Sequence, residues 1–311
     1  MLIMAPMSGC TDLPFRTIIK DFGCRFAFYE MLDASATLYS HKKTAFMLQS
    51  AIREMPLGAQ ILGSDPSMVL DAAQIILSQA KPVLIDLNCA CPAKKVIKKK
   101  AGAYLLKEPK KAAKIIKNLS SRLPVPVTVK VRSGWDKNFP QQGLKLAKIA
   151  RDNGAKAVFM HGRTVRQGYE GHVEYLSIAR TKEVLDIPVI ASGDIWNPRL
   201  AEKMLIQTGC DGLLVARGAL GRPWIFKEIQ AHLEGKKIPA APSLGKIKIL
   251  VKRHLKAYAD WKSCPQKYII GHMRKIAMWY FRGKVYATRT RDAIAKAQAY
   301  EEICEIIDRV T

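Results

Sequence analysis

The sequence predicts a (β/α)8 barrel followed by a small all-helical portion. Three observations carry this. Short apolar runs alternate with longer amphipathic ones, which implies parallel strands joined by helical crossovers. About eight such units fit into the first 235 or so of 311 residues, a density that suits a closed barrel better than an open doubly wound sheet. After Gly235 the strand signal stops and only helical patterns remain.

Strands are expected at Leu2–Ala5, Ala27–Glu30, Leu57–Ile61, Leu84–Leu87, Val127–Val131, Ala157–Met160, Val189–Ala191 and Gly212–Val215. Each is a short, β-branched or aromatic apolar run between polar or Gly/Pro-containing stretches. Helices are expected at Asp12–Asp21, Pro66–Ala80, Pro109–Leu123, Gln141–Asn153, Glu174–Val184, Pro198–Thr208 and Arg222–Leu233. Several open with Asp or Pro in the first turn, as helix starts do. The unit after the second strand has the weakest pattern. Residues 1–235 are read as the barrel, 236–243 (Lys-Lys-Ile-Pro-Ala-Ala-Pro-Ser) as a linker, and 244–311 as a basic helical domain. Its expected helices are Leu244–Trp261, Gln266–Phe281 and Arg291–Val310.

The hydrophobic fraction of 49% is enough for a sizeable core and argues against disorder. The formal net charge of +25, with pI about 9.8, is a statement about partners. It points to nucleic acid, an anionic surface or a polyphosphate. Between residues 246 and 291 there are thirteen Lys or Arg and one acid, Asp260. The seven cysteines are odd in number and lack C-x-x-C spacing, which argues against a disulfide scaffold and a metal site. No apolar run approaches the roughly 18 residues of a membrane span, and the N-terminus has no signal-peptide pattern. A cytoplasmic, monomeric protein without metal or membrane attachment is expected. No G-x-G-x-x-G follows the first strand and no Walker A motif occurs, which weakens dinucleotide-fold and NTPase readings.

In such a barrel the C-terminal ends of the strands face the active site. Those positions carry Pro6, Met7 and Ser8 after strand one, Gln60 on strand three, Asn88 and Cys91 after strand four, and Lys130 and Arg132 on strand five. His161 and Arg163 follow strand six, Ser192, Gly193 and Asp194 strand seven, and Ala216 and Arg217 strand eight. Polar groups stand here where the strand pattern is otherwise apolar. Glycine turns after strands seven and eight, with Arg217, match where these barrels hold a phosphate. Cys91 ends a buried strand, and five lysines follow from Lys94 to Lys100. A thiol beside a positive patch suggests proton or covalent chemistry on a polyanion.

These residues also carry a family resemblance. The stretches are Ala5-Pro-Met-Ser-Gly-Cys-Thr-Asp-Leu-Pro-Phe-Arg16, Gly58-Ala-Gln60, Asn88-Cys-Ala-Cys-Pro92 with Ala101-Gly-Ala103, Lys130-Val-Arg132, His161-Gly-Arg-Thr-Val-Arg-Gln-Gly-Tyr169, Ser192-Gly-Asp-Ile195 and Ala216-Arg-Gly218 with Pro223-Trp-Ile-Phe226. In this order they resemble the tRNA dihydrouridine synthases. The resemblance implies an FMN enzyme that reduces the C5–C6 bond of a uridine in the D-loop of tRNA, with NADPH as electron source. It implies Cys91 as general acid, since an ordinary thiol with pKa near 8.5 is mostly protonated at neutral pH. Cys89, two residues earlier, is the lesser candidate for that role. Lys130, Gln60 and His161 are implied as flavin contacts. Pro6, Met7 and Ser8 would meet the ring, and Ser192, Gly193, Asp194, Ala216 and Arg217 the ribityl phosphate. Asn88, Lys94, Arg132 and Arg163 are candidates for holding the uracil or RNA.

Two positions depart from the family pattern: Cys89-Ala90 stand before Cys91, where Gly usually precedes the Cys-Pro, and Ser192 replaces the usual Asn. The chain also begins almost on its first strand, so a start further upstream is expected. Two other readings use the same residues: an FMN-barrel dehydrogenase acting on a small pyrimidine, and a non-catalytic RNA-binding barrel.

Overall fold

A computed structural model describes residues 1–39, 41–137, 141–283 and 287–311. Nine parallel strands form one sheet: β1 (Leu2–Met4), β2 (Phe26–Phe28), β3 (Leu32–Asp33), β4 (Leu57–Leu62), β5 (Ile85–Cys89), β6 (Val127–Arg132), β7 (Ala157–His161), β8 (Val189–Ser192) and β9 (Gly212–Val215). The order β2-β1-β9-β8-β7-β6-β5-β4 is closed by β2–β4 pairing, so eight strands make a barrel. The two-residue β3 is an addition on β4.

Strand periodicity sorts the side chains. Leu57, Ala59 and Ile61 of β4, Val127, Val129 and Val131 of β6, and Leu213 and Val215 of β9 pack outward under the helices. The alternate positions face the barrel axis. Ile3, Phe28, Phe159, Ile190 and Leu214 form an apolar plug there. Phe28 and Phe159 meet edge to face, 5.6 Å between centroids, a geometry the ring quadrupoles favour. Gln60, Asn88, Lys130, Arg132, His161 and Ser192 occupy inward positions toward the C-terminal ends. The polar layer therefore rests on a dry floor.

The helices start where capping residues allow. Asp12 accepts from the N–H of Phe15 at 3.0 Å to open Leu13–Asp21. Asp65 and Asn197 do the same for Pro66–Ala80 and Pro198–Thr208. After β2 the chain forms two short helices, Ala34–Tyr39 and His41–Met47, which lack a strong apolar period in sequence. Short helical turns at Lys94–Lys98 and Gly102–Lys107 were likewise not expected.

Residues 236–243 form no helix or strand. Beyond them lie the helices Leu244–Lys262, Ile270–Tyr280, Ala287–Lys296 and Tyr300–Arg309. The single helix expected over Arg291–Val310 is broken in two. Arg274 Nε donates to the carbonyl of Ala297 at 2.6 Å, and the Glu302 carboxylate accepts from the N–H of Gln298 at 2.6 Å. Both bonds satisfy backbone groups outside the helical ladder and fix the break. These helices share a core that includes Val251, Leu255, Met273, Ile276, Tyr280, Ile303 and Ile307, and it extends to Ile18 and Trp224 of the barrel. Polar contacts reinforce the junction: Lys275 Nζ donates to the carbonyl of Gly9 at 2.8 Å, and Trp261 Nε1 to Gln49 Oε1 at 2.7 Å. Among the described residues no helix is long and apolar enough to cross a membrane.

Candidate active site

A cavity of about 390 Å³ opens among the loops at the C-terminal ends of the strands. Its wall includes Pro6, Met7 and Ser8 after β1, Gln60 on β4, Asn88 and Cys91 at the end of β5, and Lys130 and Arg132 on β6. His161, Ser192, Gly193, Asp194, Ala216 and Arg217 complete it from β7, β8 and β9.

Cys91 is held by a relay of hydrogen bonds that begins at a buried carboxylate. Asp86, fully buried on β5, accepts from Thr128 Oγ1 and from Gln60 Nε2, both at 2.7 Å. Gln60 Oε1 accepts from Asn88 Nδ2 at 2.7 Å. Asn88 Oδ1 accepts from the N–H groups of Ala90 (3.0 Å) and Cys91 (2.8 Å). From the other side, the N–H of Ala103 donates to the carbonyl of Cys91 at 3.1 Å. Gly102, at φ +62°, packs so closely that an added Cβ would lie 2.9 Å from that carbonyl oxygen. The Ala-Gly-Ala segment is thus a buttress for the thiol loop.

Cys89 is placed differently. Its side chain is fully buried in the outer core with Leu87 and Ile85, and burial pushes its thiol pKa well up. Residues two apart on a strand share a face, so Cys89 points to the helices while Asp86 and Asn88 point inward. Ala90 sits at a non-positive φ, a backbone that accepts a Cβ without strain.

The electrostatics are strongly positive. Among the described residues Lys130 has no hydrogen-bond acceptor. Burial first, then Arg132, lowers its pKa to about 8, with Asp86 and Cys91 opposing. Arg132 donates to the carbonyls of Ala90, Thr164 and Gly168, each at 2.8 Å. His161 Nδ1 lies 3.3 Å from Ser192 Oγ, and its Nε2 is buried without a partner. Burial and then Lys130 hold its pKa well below the usual imidazole range, so the ring is neutral. Ser192, the departure from the family pattern, thereby orients His161. Gly193 has φ +115°, and a Cβ there would meet Val173 Cγ2 at 2.5 Å. Asp194 follows at φ +51°, its carboxylate clamped by Arg163 Nη2 at 2.6 and 2.7 Å.

Three candidates for uracil or RNA contact sit otherwise than the sequence implied. Asn88 lines the cavity, but its amide is engaged by Gln60 and the thiol loop. Arg163 does not line this cavity; its guanidinium is directed to Asp194 and to the carbonyls of Glu170 and Gly171. Lys94 is exposed outside the cavity, and its neighbour Lys95 lines it instead. Sequence reasoning also passed over Asp86, Met31, Tyr169 and Trp196. Arg217 lies 5.0 Å over the Tyr169 ring and 5.2 Å over Trp196, a cation–aromatic rim. Tyr169 ended a stretch already singled out, and Trp196 follows Asp194 by two, so motif proximity was the available signal.

The donor set fits a flavin mononucleotide. An anionic reduced ring wants a positive donor at its pyrimidine edge, and Lys130 has no other hydrogen-bond partner among the described residues. Gln60 keeps one amide hydrogen beyond the bond to Asp86. The orphaned Nε2 of His161 and the guanidinium of Arg217 suit a phosphorylated chain. A family model described as dihydrouridine synthase (Dus) matches residues 3–310. The tRNA-dihydrouridine synthase B of Pseudomonas aeruginosa is 41% identical over 255 residues, covering 82% of this chain and 76% of that protein. That of Vibrio vulnificus is 39% identical over 312 residues, covering 98% and 94%. The solved structure of histamine dehydrogenase from Rhizobium sp. 4-9 shares the fold, with TM-score 0.57 and 12% identity, over 82% of this chain and 48% of that one. With a family match over almost the whole chain and relatives near 40% identity, the protein belongs to the dihydrouridine synthase family.

Proposed function

We propose that this enzyme reduces the C5–C6 bond of a D-loop uridine in tRNA, with FMN as resident cofactor and NADPH as reductant. The observation that carries this reading is the company Cys91 keeps. One cavity holds its thiol loop together with Lys130, Gln60 and the unpartnered nitrogen of His161.

When bound, FMN would supply the hydride for C6 of the uracil. Cys91 Sγ–H supplies the proton at C5, which makes the thiol a general acid. The Asp86–Gln60–Asn88 relay fixes where that sulfur stands. With FMN bound, Lys130 would place positive charge beside the pyrimidine edge of the flavin, and Gln60 would donate its remaining amide hydrogen there. Gly193, Asp194, Ala216, Arg217 and His161 hold the phosphorylated chain. Pro6, Met7 and Ser8 close against the ring.

The target base has to leave its stack to reach the cavity. Residues 244–311 act as the tRNA-binding unit, and Lys94–Lys100 add a second set of phosphate contacts. Backbone contacts of this kind position RNA without reading its sequence. A like-charge excess of +25 destabilises the compact state, and phosphates offset that. A barrel for a free small pyrimidine would leave this charge without a role. The test is mass spectrometry of unmodified tRNA incubated with protein, FMN and NADPH. A D-loop uridine gains two hydrogens if the reading holds; unchanged tRNA with a fully reduced flavin overturns it.

A further inference from the structure

A second cavity, of about 700 Å³, adjoins the first. Tyr169, Asp194, Trp196 and Arg217 belong to both walls. The rest of the second wall includes Arg163, His172, Tyr175 and Lys203. Asp194 and Arg217, given above to the phosphorylated chain of FMN, stand on the shared edge; the rest of this wall has no part in flavin binding or proton transfer.

Its chemistry is specific. Arg163 is buried, with 3% of its side chain exposed, and its Nη1 has no hydrogen-bond partner. Lys203 is exposed, with Nζ 5.7 Å over the ring of Tyr175. Tyr169 is 57% exposed at the shared edge. The one carboxylate in the wall, Asp194, is already clamped by Arg163. Among the described residues, Lys203 Nζ and the Nη1 of Arg163 have no hydrogen-bond acceptor, and these free donors beside flat aromatic faces suit a phosphate attached to a planar base.

We propose that this second cavity takes the adenosine 2′-phosphate half of the reducing dinucleotide, whose nicotinamide half enters the first cavity. The inference rests on NADPH being the reductant. The shared wall is what one ligand spanning both spaces needs. The loops after β7 and β8, with Arg217 after β9, build this cavity, and the Lys94–Lys100 run follows β5, two strands from β7. Lys203 and Arg163 meet the 2′-phosphate, and the aromatic rings meet the adenine.

The test uses the full-length, FMN-loaded protein. Adenosine 2′,5′-bisphosphate binding is measured by calorimetry and tRNA binding by fluorescence anisotropy, for wild type, Lys203→Glu and Lys203→Arg. Lys203 is exposed, so both variants fold. Lys203→Glu weakens the bisphosphate about tenfold, or about 1.4 kcal/mol, while Lys203→Arg retains most of the affinity. The tRNA affinity shifts by less than about twofold, because one distant phosphate-facing charge among many is changed. Equal bisphosphate affinity in wild type and Lys203→Glu overturns the inference. So does a variant that loses tRNA affinity in place of bisphosphate affinity, which assigns the cavity to RNA. A wild-type flavin that NADPH fails to reduce removes the reductant reading itself, and is visible separately as unbleached flavin absorbance.

Discussion

Replacing Asn88 by Ala tests whether the relay from Asp86 sets the position of the thiol. The substitution removes an amide that serves three bonds to nitrogen or oxygen partners, 2.7 Å to Gln60, 3.0 Å from Ala90 and 2.8 Å from Cys91, and a weaker one of 3.1 Å to Met31 Sδ. At about 1 kcal/mol net for each bond, the fold loses about 3 kcal/mol. The Ala90 N–H and Gln60 Oε1 are buried, so little of this is recovered by water. The chemical effect is separate. With its anchor gone, the Cys91 loop relaxes away from the geometry that Gly102 and Ala103 impose from the other side. Misplacement by about 1 Å costs roughly 10²-fold in rate. The assay is a single turnover of pre-reduced enzyme with unmodified tRNA, followed by flavin reoxidation, alongside urea unfolding. Asn88→Asp is the control, since its carboxylate still accepts from both N–H groups and loses only the donor to Gln60 and Met31. It is expected to fall between wild type and Asn88→Ala in rate. A rate for Asn88→Ala within about threefold of wild type would show that the relay does not position the acid.

Other expectations follow from the charges. Lys130 titrates at about 8, so its ammonium is present below that pH and lost above it. Reduced FMN should bind less tightly as pH rises through about 8; Lys130→Met should bind it about 1.5–3 kcal/mol more weakly and show no such pH step in fluorescence titrations. His254 is buried, donates to or accepts from Tyr280 Oη at 3.0 Å, and has its pKa lowered to about 4 by burial. The unfolded chain takes up this proton near pH 6.5 and the folded one does not, so stability falls as pH drops from about 6.5 toward about 4. Urea midpoints should record a loss of about 2 kcal/mol from this group between pH 7 and 5, and His254→Gln should shrink the wild-type dependence by that amount, leaving the share of the likewise buried His161. Lys94→Ala, Lys95→Ala and Lys98→Ala together should make the logarithmic salt dependence of tRNA binding shallower by about two; an unchanged slope would place the RNA elsewhere.

The barrel was legible because strands repeat every two residues. Runs such as Val127-Thr-Val-Lys-Val-Arg132 show both faces at once, apolar outward and polar inward. The same period explains why polar strand ends converge on one cavity. What the sequence concealed was pairing across strands. Nothing in the order of residues links Asp86 to Gln60 and Thr128, 26 and 42 positions away. Arg163 looks like a ligand-binding cation in sequence; only the fold brings Asp194 to it. Cys89 and Cys91 are two residues apart, so alternation alone would put them on one face; the end of β5 at Cys89 and the turn held by Asn88 separate them. The break after Ala297 was hidden for a similar reason. Ala-Gln-Ala continues a helix well, and its interruption comes from Arg274 on another helix and from Glu302 reaching back.

The most direct test of the account concerns Cys91 itself. Cys91→Ala, loaded with FMN, is reduced by NADPH and then mixed with unmodified tRNA, and each half-reaction is timed. The account predicts flavin reduction at the wild-type rate and uridine reduction slowed roughly 10²–10⁴-fold. Wild-type yields of dihydrouridine per turnover from the alanine variant would contradict it.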